Sequence, residues 1–251
     1  MFSGENFYTT AMSEIARWKN IDANALGSPA QLSMDDLRDI STVVPVIEQS
    51  AILQTVVDLL DARDTYTAFH SERVALISMR LCLALRLPPI RTMMISASAI
   101  VHDIGKIGIP DAILHKQDRL TDEEYGKIKE HTTIGANILG KQKGLEPLCA
   151  GVLHHHERWD GRGYPEGLSG ETIPYAARII AVCDSIDAMC SDRVYRKALS
   201  PEKIYDEIKR GRGTTYDPEI TDICLSNWTY ITGETEGPRF QRESVRIVRS
   251  V

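Results

Sequence analysis

The stretch Pro88-Pro89-Ile90-Arg91-Thr92-Met93-Met94-Ile95-Ser96-Ala97-Ser98-Ala99-Ile100-Val101-His102-Asp103-Ile104-Gly105-Lys106 decides how this chain folds. Paired prolines open a helix, because the ring presets φ and the missing N–H falls where a first turn has no partner. Met93, Met94, Ile95 and Ile100 then run along that helix as core residues towards His102 and Asp103. A histidine beside an aspartate sets a borderline nitrogen and a hard oxygen where one divalent ion could take both. Lys106 follows four residues after His102, and a helix continuing that far puts its ammonium on the histidine's face. A cation so placed suits a phosphate oxygen. Taken alone, the pair reads equally well as a helix ending at Gly105 with a polar cap and a solvated lysine, so the rest of the chain decides.

Outward from this stretch, the periodicity is helical almost throughout. Apolar residues recur at three- and four-residue spacing from Val46 to Leu60, and again from Thr67 to Leu85, where Val74, Ile77, Leu81 and Leu85 form one stripe. Thr121-Asp122-Glu123-Glu124 has the form of a capping box and predicts a helix from about Asp122 to Leu139, with His131 inside it. A helix from about Pro147 is expected to end in His154-His155-His156-Glu157, ahead of a glycine-rich loop over residues 160–167. Pro174 starts a further helix that carries Asp184 and Asp187. No strand run of comparable strength and no internal repeat is visible, so the expected class is all-α.

At 251 residues, 43% hydrophobic and 25% charged, the chain suits a soluble globular protein of one domain with appendages or two small domains. A net charge of -6 argues against polymeric nucleic acid as a partner and requires any anionic substrate to meet a local basic or metal-rich site. Five cysteines, at 82, 149, 183, 190 and 224, show no CxxC pair, which points to reduced thiols and a cytoplasmic protein. The first residues lack a secretory signal, and no apolar run approaches the roughly 20 residues of a membrane helix, so no direct membrane insertion is expected. Residues 1–45 read as a short irregular or helical segment, a candidate dimerisation helix or docking surface for a regulator. The chain from 46 to 225 reads as the catalytic unit. Residues 226–251 read as a solvated tail bearing Arg239, Arg242, Arg246 and Arg249.

Metal sites in helical bundles take His, Asp and Glu from several facing helices. Here His70, His102 with Asp103, His131, His155 with His156, and Asp184 fall on successive predicted helices or at their ends. Any one of these histidines is more often a core or surface residue than a ligand; the set makes coincidence a weaker account. The donors exceed what one ion needs, which favours two ions roughly 3.5–4 Å apart sharing a carboxylate and a water acidic enough to give hydroxide near neutral pH. Phosphoester hydrolysis is the natural chemistry of such a centre. Without thiolates, the set suits iron, manganese, nickel or catalytic zinc rather than structural zinc.

The runs His102-Asp103-Ile104-Gly105-Lys106 and His155-His156-Glu157-Arg158-Trp159-Asp160-Gly161-Arg162-Gly163-Tyr164-Pro165 resemble the two signatures of the HD-GYP family, a subgroup of the HD-domain metal-dependent phosphohydrolases. Asp64-Thr65-Tyr66-Thr67 before His70-Ser71, Ile173-Pro174, Asp192-Arg193-Val194-Tyr195-Arg196 and Tyr216-Asp217-Pro218 extend the resemblance over about residues 45–225. It implies an HD-type helical bundle with a buried metal site, hydrolysing cyclic di-GMP to pGpG and/or GMP.

The resemblance makes His70, His102, Asp103, His131, His155, His156 and Asp184 the metal ligands, with Asp103 as bridge. It makes Asp103 and Lys106 the catalytic pair, with Lys106 on the scissile phosphate. Arg193 and Arg196 would hold phosphates or guanine faces, and Tyr164 would shape the loop beside the substrate. Two divalent ions are implied, iron or manganese first and nickel, zinc or magnesium as alternatives. Members with three metals carry a glutamate where this chain has Tyr66, a poor ligand at neutral pH, which limits the expectation to two. His115 and His154 match no ligand position and are expected at the surface or in a supporting role. Two other functions stay open: a catalytically weak cyclic-dinucleotide-binding domain, and a hydrolase of a hybrid cyclic GMP-AMP. A homodimer mate or a sensor protein is the expected macromolecular partner.

Overall fold

Prolines and caps set most of the helix starts. The structure, a computed structural model, describes residues 45–46, 48–63, 69–191 and 197–233. The N-terminal segment 1–44, Tyr66, Arg193, Arg196 and the arginine-bearing tail lie outside the described residues. In chain order the helices are α1 (Ser50–Arg63), α2 (His70–Ala84), α3 (Pro89–Ile100), α4 (Asp111–Leu114), α5 (Asp122–Gly140), α6 (Cys149–His154), α7 (Tyr175–Cys190), α8 (Pro201–Gly211), α9 (Pro218–Ser226) and α10 (Trp228–Thr232). Proline occupies the first turn of α3, α8 and α9. The α5 capping box is complete: Glu124 N–H donates to Thr121 Oγ1 at 3.2 Å, and Thr121 N–H donates to the Glu124 carboxylate at 2.8 Å. The described residues hold no strand, only an isolated bridge between Arg212 and Tyr216, and the fold is all-α.

Helices α2, α3 and α7 form the centre, with α5 and α6 packed alongside. The α2 stripe is buried as the periodicity predicts at Val74, Ile77 and Leu81, which meet Ala97, Ile100, Ile179, Ile180 and Ile186 in one core. Each fully buried leucine or isoleucine contributes about 1.5–3 kcal/mol relative to exposure. Ile231 of α10 is completely buried in the same core, so ordered packing continues past residue 225. The cysteines are free, and burial pushes the Cys82, Cys183 and Cys224 thiols up, leaving them unreactive core residues.

Two helix ends differ from expectation, and both matter for the site. Helix α3 stops at Ile100, so His102 and Asp103 lie in the following turn and Lys106 in a 3₁₀ turn, Ile104–Gly108. The reason is Gly105: a β-carbon there would overlap the carbonyl oxygen of His131 and the amide of Gly135, so the chain leaves the α3 axis to lie directly on the α5 backbone. Helix α6 ends at His154, with His155 and His156 in the turn beyond it.

Candidate metal centre

Three of the site histidines are oriented by the backbone three residues before them. The Nδ1 atoms of His102, His131 and His155 each lie 2.7 Å from a carbonyl oxygen, of Ala99, Ile128 and Val152 respectively. A carbonyl only accepts, so each Nδ1 carries the proton and each Nε2 turns a lone pair inward. His70 is set by a carboxylate instead: its Nδ1 lies 2.7 Å from Asp187 Oδ2. Arg73, one turn along α2, holds Asp187 in place by donating from Nε to Oδ1 at 2.6 Å and from Nη2 to Oδ2 at 3.0 Å. A carboxylate behind a histidine is the usual device for fixing a metal-ligating ring.

The inward-facing atoms fall into two groups, Asp103 with His131, His155 and His156, and His70 with His102 and Asp184. Within each group the donor atoms lie within 4.8 Å of one another. Asp103 faces both. Its Oδ1 is 3.3 Å from His131 Nε2 and 4.0 Å from His155 Nε2, whereas its Oδ2 is 3.4 Å from His102 Nε2 and 3.9 Å from His70 Nε2. Asp184 Oδ1 closes the second group at 3.3 Å from His70 Nε2 and 4.0 Å from His102 Nε2. All seven residues named from the sequence as ligands are therefore brought together.

The electrostatics suit a cation. Burial, then the neighbouring histidines, holds His155 far below the ordinary imidazole range, and burial lowers His131 and takes His156 down to about 4. All three are neutral at pH 7, the form that ligates. At His70 burial opposes protonation, but bonds to Asp184 and Asp187 outweigh it and take the ring up to about 9. Burial alone would raise Asp103 and Asp184; Lys106 and the surrounding histidines hold Asp103, and His70 holds Asp184, well below the carboxylate range. His102 Nε2 is buried with no hydrogen-bond partner, an orphaned acceptor aimed into the second group. A buried lone pair among carboxylates and imidazoles, with no thiolate, fits divalent ions that accept nitrogen and oxygen ligands.

Lys106 does not share a helical face with His102, as continuation of α3 required. Its ammonium lies 2.6 Å from Asp103 Oδ2, bordering a small cavity with Asp61, Arg63, His70 and Leu114. A separate cavity of about 230 Å³ reaches His155, His156 and Asp184, with Tyr125, Arg158, Arg162, Tyr164 and Tyr216 in its wall. Tyr164 stacks on His156 with ring centroids 4.8 Å apart. Gly163 lets this loop close, because a β-carbon there would overlap the backbone of residues 156–158. Buried Glu157 anchors the loop, its Oε1 accepting from the N–H groups of Glu166 at 2.7 Å and Gly167 at 3.0 Å.

Of the remaining histidines, His115 is half-exposed beside Asp111, away from the cluster. His154 is buried rather than at the surface, 3.8 Å from Glu157, because α6 turns it inward against the loop anchor. Sequence reasoning did not assign roles to Asp187, Arg73 or Glu157. The available signals were spacings: Asp187 lies three residues after Asp184, and Arg73 three after His70, each on its neighbour's helical face.

The model of the HD domain family matches residues 54–220, about two thirds of the chain. The chain belongs to the HD domain family, as its two signatures led one to expect. Among curated proteins it is similar to a cyclic di-GMP phosphodiesterase of Thermotoga maritima, 42% identical over 176 residues that cover 69% of this chain and 48% of that protein. It is also similar to the 3'3'-cGAMP-specific phosphodiesterase 2 of Vibrio cholerae, 33% identical over 76% of this chain and 37% of that protein. The chain thus spans half or less of the length of these two relatives. Among solved structures, an HDG"Y"P protein of Bdellovibrio bacteriovorus superposes with a TM-score of 0.55 at 15% identity, covering 86% of this chain and 79% of that one, a likeness of fold.

Proposed function

We propose that this chain is a metal-dependent phosphodiesterase that hydrolyses cyclic di-GMP to pGpG and/or GMP. The observation that carries the reading is the Asp103 carboxylate, one oxygen turned to His131 and His155 and the other to His70 and His102. In this proposal His131, His155 and His156 would hold one divalent ion and His70, His102 and Asp184 the other, with Asp103 shared between the two groups; iron or manganese is the expected metal. A bound pair of divalent ions lowers the pKa of water and polarises phosphoryl oxygens. The protein's own groups do the rest. The neutral imidazoles of His131, His155 and His156 present lone pairs without competing protons, and the buried walls limit water around the reacting phosphate. Lys106 turns its ammonium from Asp103 to a phosphate oxygen. Tyr164 and the arginines of the 230 Å³ cavity receive a nucleobase and the flanking phosphate.

The catalytic unit is proposed to run from residue 46 to 225, with α10 packed onto it and residues 1–45 and 226–251 as flanks. No helix of the described residues is long and apolar enough to cross a membrane, and a cytoplasmic setting belongs to the same proposal. The similarity to a 3'3'-cGAMP-specific enzyme makes that hybrid dinucleotide the alternative substrate. The test is elemental analysis of anaerobically purified protein, followed by product chromatography on cyclic di-GMP, cyclic GMP-AMP and cyclic di-AMP. Wild-type protein is expected to carry two ions and release pGpG or GMP, and Asp103→Asn to lose turnover while remaining folded. Folded, metal-loaded protein with no turnover on any of the three would overturn the proposal, and tight binding without turnover would instead favour a binding domain.

A further inference from the structure

Arg63, the last residue of α1, is committed to the turn that carries Lys106. Its Nη1 donates to the carbonyl oxygens of Lys106 at 2.9 Å and Ile107 at 3.1 Å, and its Nη2 to that of Ile109 at 2.6 Å. Nε and Nη2 also donate to Asp111 Oδ1 at 2.8 and 2.6 Å, which clamps the guanidinium plane against the start of α4. The side chain is 26% exposed, so these bonds form at the edge of the site rather than in open solvent.

A 3₁₀ turn holds itself poorly, because its own hydrogen bonds are badly aligned. In this one Ile109 N–H closes on Lys106 O at 3.0 Å, and the same oxygen takes Arg63. A lysine ammonium sits on a flexible four-carbon stem, so the position of its backbone fixes what it can reach. Two residues earlier on α1, Asp61 accepts the Phe69 N–H at 2.7 Å, immediately before His70. The end of α1 is thus tied to both sides of the second ligand group.

We propose that Arg63 is a positioning residue: it holds the Lys106 turn so that the ammonium meets the scissile phosphate. This rests on the phosphodiesterase reading of Lys106. Only a planar guanidinium spans three carbonyls and a carboxylate at once, so lysine is not an equivalent replacement. Displacement of a catalytic group by about 1 Å costs on the order of 10²-fold in rate.

The test combines kinetics with amide hydrogen exchange on the full chain. Arg63→Ala is expected to lower kcat about 10²-fold with KM changed far less and metal content unchanged. Millimolar guanidinium should restore part of the loss. In a Lys106→Ala background Arg63→Ala should add no further loss, because residues acting as a unit are not additive. Amides of residues 104–109 should exchange at least about tenfold faster in Arg63→Ala, with those of α5 unchanged. Arg63→Lys, which keeps the charge, gives the same pattern at smaller size and serves if the alanine variant does not fold. The proposal is overturned by kcat within twofold of wild type, by losses that multiply with Lys106→Ala, or by unchanged exchange over 104–109. If wild-type protein hydrolyses no cyclic dinucleotide, the phosphodiesterase reading fails by itself and exchange alone decides on Arg63: faster exchange keeps the brace, unchanged exchange removes it.

Discussion

Asp187→Asn separates the ring-setting carboxylate from the shape of the site. The substitution is nearly isosteric, but an amide has one accepting oxygen where Asp187 uses two, one for Arg73 and one shared by Arg73 and His70. Whichever way the amide turns, its NH₂ meets either the His70 Nδ1–H or the Arg73 donors. In the first arrangement His70 loses the partner that keeps Nε2 free for an ion; in the second the Arg73 clamp opens. Loss of a hydrogen bond to a charged group costs about 1.5–3 kcal/mol, and Arg73, partly open to water, can rehydrate, so the stability loss should sit near the lower end. Removing such an outer partner of a ligating histidine typically weakens metal binding about 10–100-fold, or about 1.4–2.8 kcal/mol. Elemental analysis after dialysis against graded chelator reads this directly. Asp187→Asn should fall from two ions to one at a chelator concentration where wild-type protein keeps both, because His131, His155 and His156 do not touch Asp187. Equal retention of both ions, with equal melting temperatures, would refute the role assigned to Asp187.

Three further outcomes follow from the geometry. Gly105→Ala must push the 3₁₀ turn off the α5 backbone and should cost about 3 kcal/mol, the upper end for overpacking because backbone atoms cannot yield, seen as a lower denaturation midpoint. Glu157→Ala leaves the amides of Glu166 and Gly167 without their acceptor and should destabilise by about 2–4 kcal/mol, with faster amide exchange confined to the loop around Tyr164. At Asp160, the hydrogen bond from Arg158 takes the carboxyl from 3.8 down to about 2. An acid depressed on folding contributes stability above its unfolded pKa and loses it as pH falls to the folded one. Asp160→Asn should therefore melt lower at pH 7, by about 1 kcal/mol for a pair still partly open to water, and the difference should close between pH 4 and pH 2.

Helix identity and order were legible because the relevant signals are local: the apolar stripe of α2, the prolines ahead of α3 and α7, and the Thr121 capping box each act within a few residues. The ligand residues were legible from their types and from the two signatures. What the sequence hid was where α3 stops. Ile100 to Lys106 contains nothing that ends a helix except Gly105, and the cause lies across the fold, in the carbonyl of His131 against which that glycine packs. The Arg73–Asp187 pair and the Arg63 brace were hidden for the same reason, since they join residues 114 and 43–48 positions apart.

The helix ends bear on how two of the histidines are set. The last carbonyls of a helix have no N–H partner of their own within it. His102 and His155 stand just beyond the ends of α3 and α6, where Ala99 and Val152 offer such carbonyls to Nδ1. At Ala99 the ring shares the carbonyl with the main-chain N–H groups of Val101 and His102, and His131, inside α5, reaches the carbonyl of Ile128 in the same way. His70 is at the opposite kind of end. A helix N-terminus offers its own amide N–H groups rather than carbonyls. The carboxylate of Asp187 supplies an acceptor from α7; against burial, the bonds from His70 and then Arg73 keep it ionised, and Arg73 holds it in place. His70, at a helix start, is the ring set by a buried acid, so its orientation depends on a residue outside the ligand set, Asp187.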